Sequence, residues 1–120
     1  MKISVVIPTF NRKEALKRAI HSVMGQSLTP FEIIVVDDGS DDGTGEWILY
    51  NHPQIKYIYQ TNNGVSSARN IGIKSAASDW IAFLDSDDEW LPTKLDIQAN
   101  AIMANPGTKF CHTNEIWIRN

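Results

Sequence analysis

Short unbroken apolar runs alternate along this chain with longer stretches in which apolar residues return every three or four positions. Ile3 to Ile7 is a β-branched run closed by Pro8, which predicts a buried strand ending at Pro8-Thr9. From about Arg12 to Met24 the spacing of Leu16, Ala19, Ile20 and Val23 predicts a helix, with Asn11 as its N-cap and Gly25 as its stop. Arg12, Lys13, Lys17 and Arg18 lie off that stripe. Phe31 and Ile33 to Val36 form a second buried strand running into Asp37-Asp38-Gly39-Ser40. Thr44 or Asp42 caps a short helix through Ile48 and Leu49, which His52-Pro53 interrupts, and Ile55 to Tyr59 is a third strand. The Asn62-Asn63-Gly64 turn leads into a helix from Val65 to Ala76, with Ala68, Gly72 and Ala76 on one close-packing face. Trp80 to Leu84 is the fourth strand. Pro92 suits the first turn of another helix whose core side is Leu95, Ala99, Ile102 and Met103. Asn105-Pro106-Gly107 ends it, and Phe110 to Ile118 reads as a further strand.

Strand–helix units with continuous apolar strands predict an α/β fold: a mostly parallel sheet with helices on both faces, in one domain over residues 1–120. Right-handed crossovers put the loops that follow the strands on one edge. That edge gathers Thr9, Asn11, Asp37, Asp38, Asn62, Asn63 and the cluster Asp85-Ser86-Asp87-Asp88. Open α/β sheets bind ligands at this edge.

Composition narrows the partners. A chain of 120 residues supports one core, and a formal charge of −3 lacks the basic footprint of a nucleic-acid binder. A bound phosphate would need a local device: an arginine, a metal or a helix start. Cys111 is the only cysteine, so no internal disulfide forms and a reducing, cytoplasmic setting fits; its place in Lys109-Phe110-Cys111-His112 suggests a buried strand thiol. No apolar stretch approaches membrane-spanning length, and the run after Met1 is too short for a signal-peptide core.

The acids at Asp85, Asp87 and Asp88 follow a buried strand directly, and carboxylates this close repel unless a cation, a basic side chain or backbone N–H groups answer them. Asp85 and Asp87 suit a hard divalent cation whose other face meets a diphosphate; the plainer alternative is a polar turn favouring the next helix start. The run from Asp38 to Gly43 has the opening spacing of a calcium loop, but Leu49 stands where the bidentate glutamate is needed, so that reading is excluded. Thr9-Phe10-Asn11 replaces a dinucleotide-binding glycine fingerprint, and no Walker lysine motif exists. Asp38 either accepts hydrogen bonds from a base edge or caps the turn into Ser40, with Gly39 free to turn at positive φ. Arg69 either clamps phosphate or pairs with a nearby acid.

Four ordered segments carry a resemblance. Val5-Val6-Ile7-Pro8-Thr9-Phe10-Asn11-Arg12 and Glu32-Ile33-Ile34-Val35-Val36-Asp37-Asp38-Gly39-Ser40-Asp41-Asp42-Gly43-Thr44 look like the opening of glycosyltransferase family 2. Asn63-Gly64 with Ala68-Arg69-Asn70-x-Gly72, and Phe83-Leu84-Asp85-Ser86-Asp87-Asp88, continue it over nearly the whole chain. The resemblance implies a GT-A fold, a Rossmann-like sheet that binds a nucleotide-diphosphate sugar, with UDP the expected nucleotide, through Mn²⁺ or Mg²⁺. It implies that Thr9 and Asp38 hold the nucleobase, that Pro8 and Asn11 line the same loop, and that Arg69 lies near the nucleotide. Asp85 would sit nearer the ribose and Ser86 at the nucleotide, with Asp87 the direct metal ligand and Asp85 beside it. The implied chemistry is transfer with inversion: an acceptor hydroxyl attacks the anomeric carbon in line while the metal stabilises the departing diphosphate. Acceptors would be glycans or lipid-linked glycans, in polysaccharide or cell-envelope synthesis.

Family members continue well past Asn120, and their later half supplies the acceptor site and general base. Glu115, the only carboxylate after Asp96, has no motif around it, and a metal-bound Asp87 keeps little basicity. The expectation is therefore a donor-binding half, trimmed or naturally short, that binds donor weakly and transfers nothing alone. A noncatalytic nucleotide-binding or interaction module with the same fold is the alternative. Truncation would expose surface that favours self-association, and a longer protein could associate with the inner face of a membrane. A nucleotidyltransferase would need a glycine-rich basic loop after the first strand, which Pro8-Thr9-Phe10-Asn11 is not.

Overall fold

The computed structural model describes residues 1–105 and the backbone of 110–111 and 116–118. In chain order the elements are β1 (Ile3–Thr9), α1 (Lys13–Met24), β2 (Glu32–Asp37), α2 (Thr44–Asn51), β3 (Lys56–Tyr59), α3 (Val65–Ser75), β4 (Trp80–Phe83), α4 (Lys94–Ala104), β5 (Phe110–Cys111) and β6 (Ile116–Ile118). They build one sheet in the order β3-β2-β1-β4-β6-β5. The first four strands pair in parallel; the continuous apolar runs of β1, β2 and β4 predict this, while β3, whose residues alternate, is the half-exposed edge strand. The single strand expected from Phe110 to Ile118 is instead two short strands, β6 antiparallel to β4 and β5 antiparallel to β6. The Cys111 side chain, Glu115 and the Pro106-Gly107 stop lie outside the described residues.

β1 is buried along its whole length and divides its side chains between two cores. Ile3, Val5 and Ile7 pack with Val35, Ala82 and Leu84 beneath α1, α2 and α4. Val6 joins Ile34, Val36 and Ile81 beneath α3. α1 buries the expected stripe of Leu16, Ala19, Ile20 and Val23. On α4 the buried face is Leu95, Gln98, Ala99 and Ile102, while Met103 is exposed. The expectation for Met103 was wrong because the stripe from Leu95 runs i, i+3, i+4, i+7, which lands on Gln98 and leaves Met103 outside. No helix among the described residues is long and apolar enough to cross a membrane.

Helix α3 seats on β1 through a glycine. A Cβ on Gly72 would overlap the side chain of Val6, which is fully buried and, being β-branched, has little rotamer freedom with which to yield. Gly72→Ala should therefore destabilise the fold by about 1–3 kcal/mol through overpacking, despite alanine's better helix propensity. Urea denaturation checks this, and a stability equal to or above that of the parent chain would refute the close-approach account.

Candidate active site at the carboxyl edge of the sheet

The strand order reverses beside β1: β2 and β3 extend one way, and β4 returns on the other side. β1 stays paired with β2 as far as Thr9↔Asp37. Its pairing with β4 ends at Val6↔Phe83, followed by one bond from Leu84 N–H to the Val6 carbonyl at 3.1 Å. Beyond it the tip of β1 and the loop after β4 part, and a cavity of about 340 Å³ opens there. Its wall is Pro8, Thr9, Phe10 and Arg12 after β1, Asp38 after β2, Val65 and Ala68 on α3, and Asp85, Ser86 and Asp87 after β4.

Six of the residues expected at the site, Pro8, Thr9, Asp38, Asp85, Ser86 and Asp87, thus line one cavity. Asn11 and Arg69 stand just outside that wall. Asn11 is not the N-cap of α1; that position falls to Arg12, which makes no side-chain cap bond. Asn11 instead adopts φ of +49° and joins two loops: its N–H donates to Ser40 Oγ at 2.8 Å and its Oδ1 accepts from Asp41 N–H at 2.9 Å. The orphan N–H of Lys13 at the start of α1 is answered by Asp42 Oδ2 at 3.0 Å, and Asp42 Oδ1 accepts from Thr44 N–H at 3.2 Å at the start of α2. Asp42 therefore serves two helix N-termini, where the helix dipole favours a negative charge.

The turn-capping role that was left open for Asp38 belongs to Asp37. The turn into Ser40 is capped by Asp37, whose Oδ1 accepts from Ser40 N–H at 2.9 Å while Oδ2 accepts from the Tyr57 hydroxyl at 2.6 Å. Burial and this bond to an anion push the Tyr57 phenol well above its usual range. Asp38 reaches across to the loop after β3 and accepts from Gln60 Nε2 at 2.7 Å, Asn63 N–H at 2.7 Å and Gly64 N–H at 3.0 Å. Gly39 allows this at φ of +101°, packed so closely on Asn62 that a side chain would crowd it. Burial alone would raise the Asp38 pKa, but the Asn63, Gln60 and Gly64 donors outweigh it and hold the carboxyl below its ordinary value. Thr9 is 4% exposed, and its hydroxyl oxygen is buried without a hydrogen-bond partner. A buried polar atom left open on a cavity wall is a place for a ligand group.

The acid cluster is exposed, and arginines answer two of its acids, Asp87 and Asp85. Arg12 Nη1 lies 2.8 Å from Asp87 Oδ2, and Arg69 Nη2 lies 3.2 Å from Asp85 Oδ1. Arg69 thus takes the acid-pairing alternative, while its Nε is buried without a partner. Oxygen atoms of Asp85, Asp87 and Asp88 come within 4.8 Å of one another. Three convergent carboxylates are the hard donor set that Mg²⁺ or Mn²⁺ takes, so these residues fit such an ion. Arg12 was missed in the sequence because its helix-surface setting hid its position one step past the strand-tip loop. Gln60 was missed because only the fold brings it to Asp38.

A Rossmann-like α/β sheet with a polar cavity at its switch point is a nucleotide-binding architecture, and the likeness to solved structures makes it the GT-A form. The chain belongs to glycosyltransferase family 2: the model of "Glycosyl transferase family 2" matches residues 4–114. An uncharacterised glycosyltransferase of Rickettsia conorii is 44% identical over 115 residues, covering 94% of this chain and 19% of that protein. One from Nostoc is 44% identical over 99 residues, covering 79% of this chain and 31% of that protein. The crystal structure of S. aureus TarS 1-349 superposes with a TM-score of 0.80 at 30% identity, covering 88% of this chain and 33% of that one. The chain therefore spans at most about a third of the length of these proteins.

Acid should loosen this edge. Burial opposes ionisation of Asp42 too, but the Thr44 and Lys13 donors outweigh it, so the folded pKa of both Asp38 and Asp42 is depressed. Their contribution is complete above the ordinary carboxylate pKa and is lost as pH falls from about 4 through the folded values. Stability from urea melts should drop steeply below about pH 4, and Asp38→Asn should flatten that slope. A parallel pH profile for the variant would contradict the assignment.

Proposed function

We propose that the cavity holds the nucleoside diphosphate of a sugar donor, and that residues 1–120 form the donor-binding domain of an inverting, metal-dependent glycosyltransferase. One observation carries this reading. An open buried hydroxyl on Thr9 and a fixed, ionised Asp38 share one cavity wall with the exposed Asp85 and Asp87. An ionised carboxylate only accepts hydrogen bonds, so Asp38 suits the imide N–H of uracil. Solved structures of TarS in complex with UDP and with UDP-GlcNAc, similar to this chain with TM-scores of 0.74 and 0.77, support a uridine nucleotide.

In this reading Thr9 and Asp38 orient the base, Pro8 and Ser86 shape the wall, and Asn11 fixes the first loop. Asp85 lies toward the ribose and Arg69 toward the phosphates. Asp87, with Asp85, would hold Mn²⁺ or Mg²⁺, which when bound offsets charge on the departing diphosphate. Among the described residues Asp38, Asp85 and Asp87 are the acids on the wall. Asp38 is committed to three donors and the other two to the metal, so the base that activates the acceptor hydroxyl comes from elsewhere in the working protein. The acceptor is a glycan or lipid-linked glycan.

Titration of the chain with UDP, with and without Mn²⁺, tests the reading. Amide shifts should appear around Thr9 and Asp38, and Mn²⁺ should broaden signals from Asp85 to Asp88. Asp87→Ala should abolish the metal dependence of UDP binding; retention of that dependence would remove Asp87 from the metal site. No shift at millimolar UDP with Mn²⁺ would overturn donor binding by this chain. The chain alone should transfer no sugar from UDP-GlcNAc, and detectable transfer would overturn the placement of the base.

A further inference from the structure

We propose that Arg12 is an exchangeable counter-ion. Its guanidinium leaves Asp87 when a divalent cation arrives and pairs with the nucleotide's diphosphate, so that metal and nucleotide bind cooperatively. This deepens the donor-binding reading and rests on it.

Arg12 and Asp87 both line the cavity and meet across it at 2.8 Å, with side chains 54% and 55% exposed. An ion pair this open contributes little net stability, so exchanging its partner costs little. A guanidinium and a divalent cation at the same carboxylate repel each other, so the cation and Arg12 compete for Asp87. The backbone on both sides of Arg12 is held: Asn11 is bonded to Ser40 and Asp41, and Lys13 N–H to Asp42. Only the side chain is free to swing. The same wall carries the unpartnered Thr9 hydroxyl, an independent sign that a polar ligand belongs there. Arg69, by contrast, stands off the wall.

The coupling follows from charge. A cation alone displaces Arg12 and leaves it beside a new positive charge. A diphosphate alone must draw Arg12 away and then faces acids that have lost their counter-ion. With both ligands present, the acids meet the cation and the guanidinium meets the phosphates, which it matches as a planar fork. Binding of each ligand must then strengthen the other by the same factor.

Calorimetric titrations with MnCl₂ alone, UDP alone and UDP in saturating MnCl₂ test this on the parent chain, R12Q, R12K and R18Q. Arg18 is exposed on α1 and controls for loss of a positive charge. R12Q should bind Mn²⁺ alone about two- to tenfold more tightly, since a competing exposed ion pair is gone. It should bind UDP in MnCl₂ at least about tenfold more weakly, since a charge-assisted contact to phosphate is lost. R12K, charged but without the fork, should fall between, and R18Q should match the parent chain. Circular dichroism confirms folding; if R12Q does not fold, the opposed shifts are read from R12K. Shifts of both affinities in the same direction, or in neither, would overturn the exchange while leaving donor binding standing. Absence of Mn²⁺-dependent UDP binding by the parent chain would overturn both.

Discussion

The carboxyl edge of this sheet depends on aspartates spent on backbone N–H groups. Loops that leave parallel strands carry amides with no ladder partner, and those amides must be answered. The loop after β2 answers them for its neighbours as well as for itself. Asp37 takes Ser40 N–H, Asp38 takes Asn63 and Gly64 N–H, and Asp42 takes Lys13 and Thr44 N–H. Three connections are thereby tied to one loop, and the starts of α1, α2 and α3 all receive a negative charge where their dipoles favour it.

That use of charge separates two kinds of acid. Asp37 and Asp38 are buried and bonded, their charge absorbed by fixed neutral donors, the Tyr57 hydroxyl among them. Asp85 and Asp87 are exposed, converge with Asp88, and are paired with arginines. Fixed donors make a permanent part of the frame, whereas a guanidinium on a flexible stem can be exchanged for another cation. The first set braces the loops around the cavity, and the second lies open to solvent at its mouth. Sequence distance does not reveal this division, since both sets are runs of aspartate after an apolar strand.

Much of the fold was legible because the central strands β1 and β2 are buried on both faces and so read as unbroken apolar runs. Ile3 to Ile7 and Ile33 to Val36 could not be mistaken for alternating strands, and the site edge followed from topology. The misreadings at the site edge have one physical source: bonds between residues far apart in sequence. Asn11 has a capping residue's chemistry and stands where a cap belongs, yet its partners are Ser40 and Asp41. The amide it was expected to serve goes to Asp42, which no local rule can foresee. Gln98, polar and placed outside the expected core, is buried because its helical position, three residues after Leu95, lies on the packed face of α4.

Core and site meet at Val6. Its side chain presses on Gly72 and so fixes how close α3 comes to the sheet. Ala68 and Val65, one and two turns earlier on that helix, therefore reach the cavity wall, and Arg69 reaches Asp85. The Val6 carbonyl takes Leu84 N–H, the last tie before β1 and the loop after β4 separate. One residue thus sets the height of the helix that forms one wall and the point at which the opposite wall diverges. A rigid, densely packed interior transmits small displacements rather than absorbing them. Gly72 touches no ligand in the proposed site, yet its missing side chain holds the Arg69–Asp85 pair and the mouth of the cavity in register.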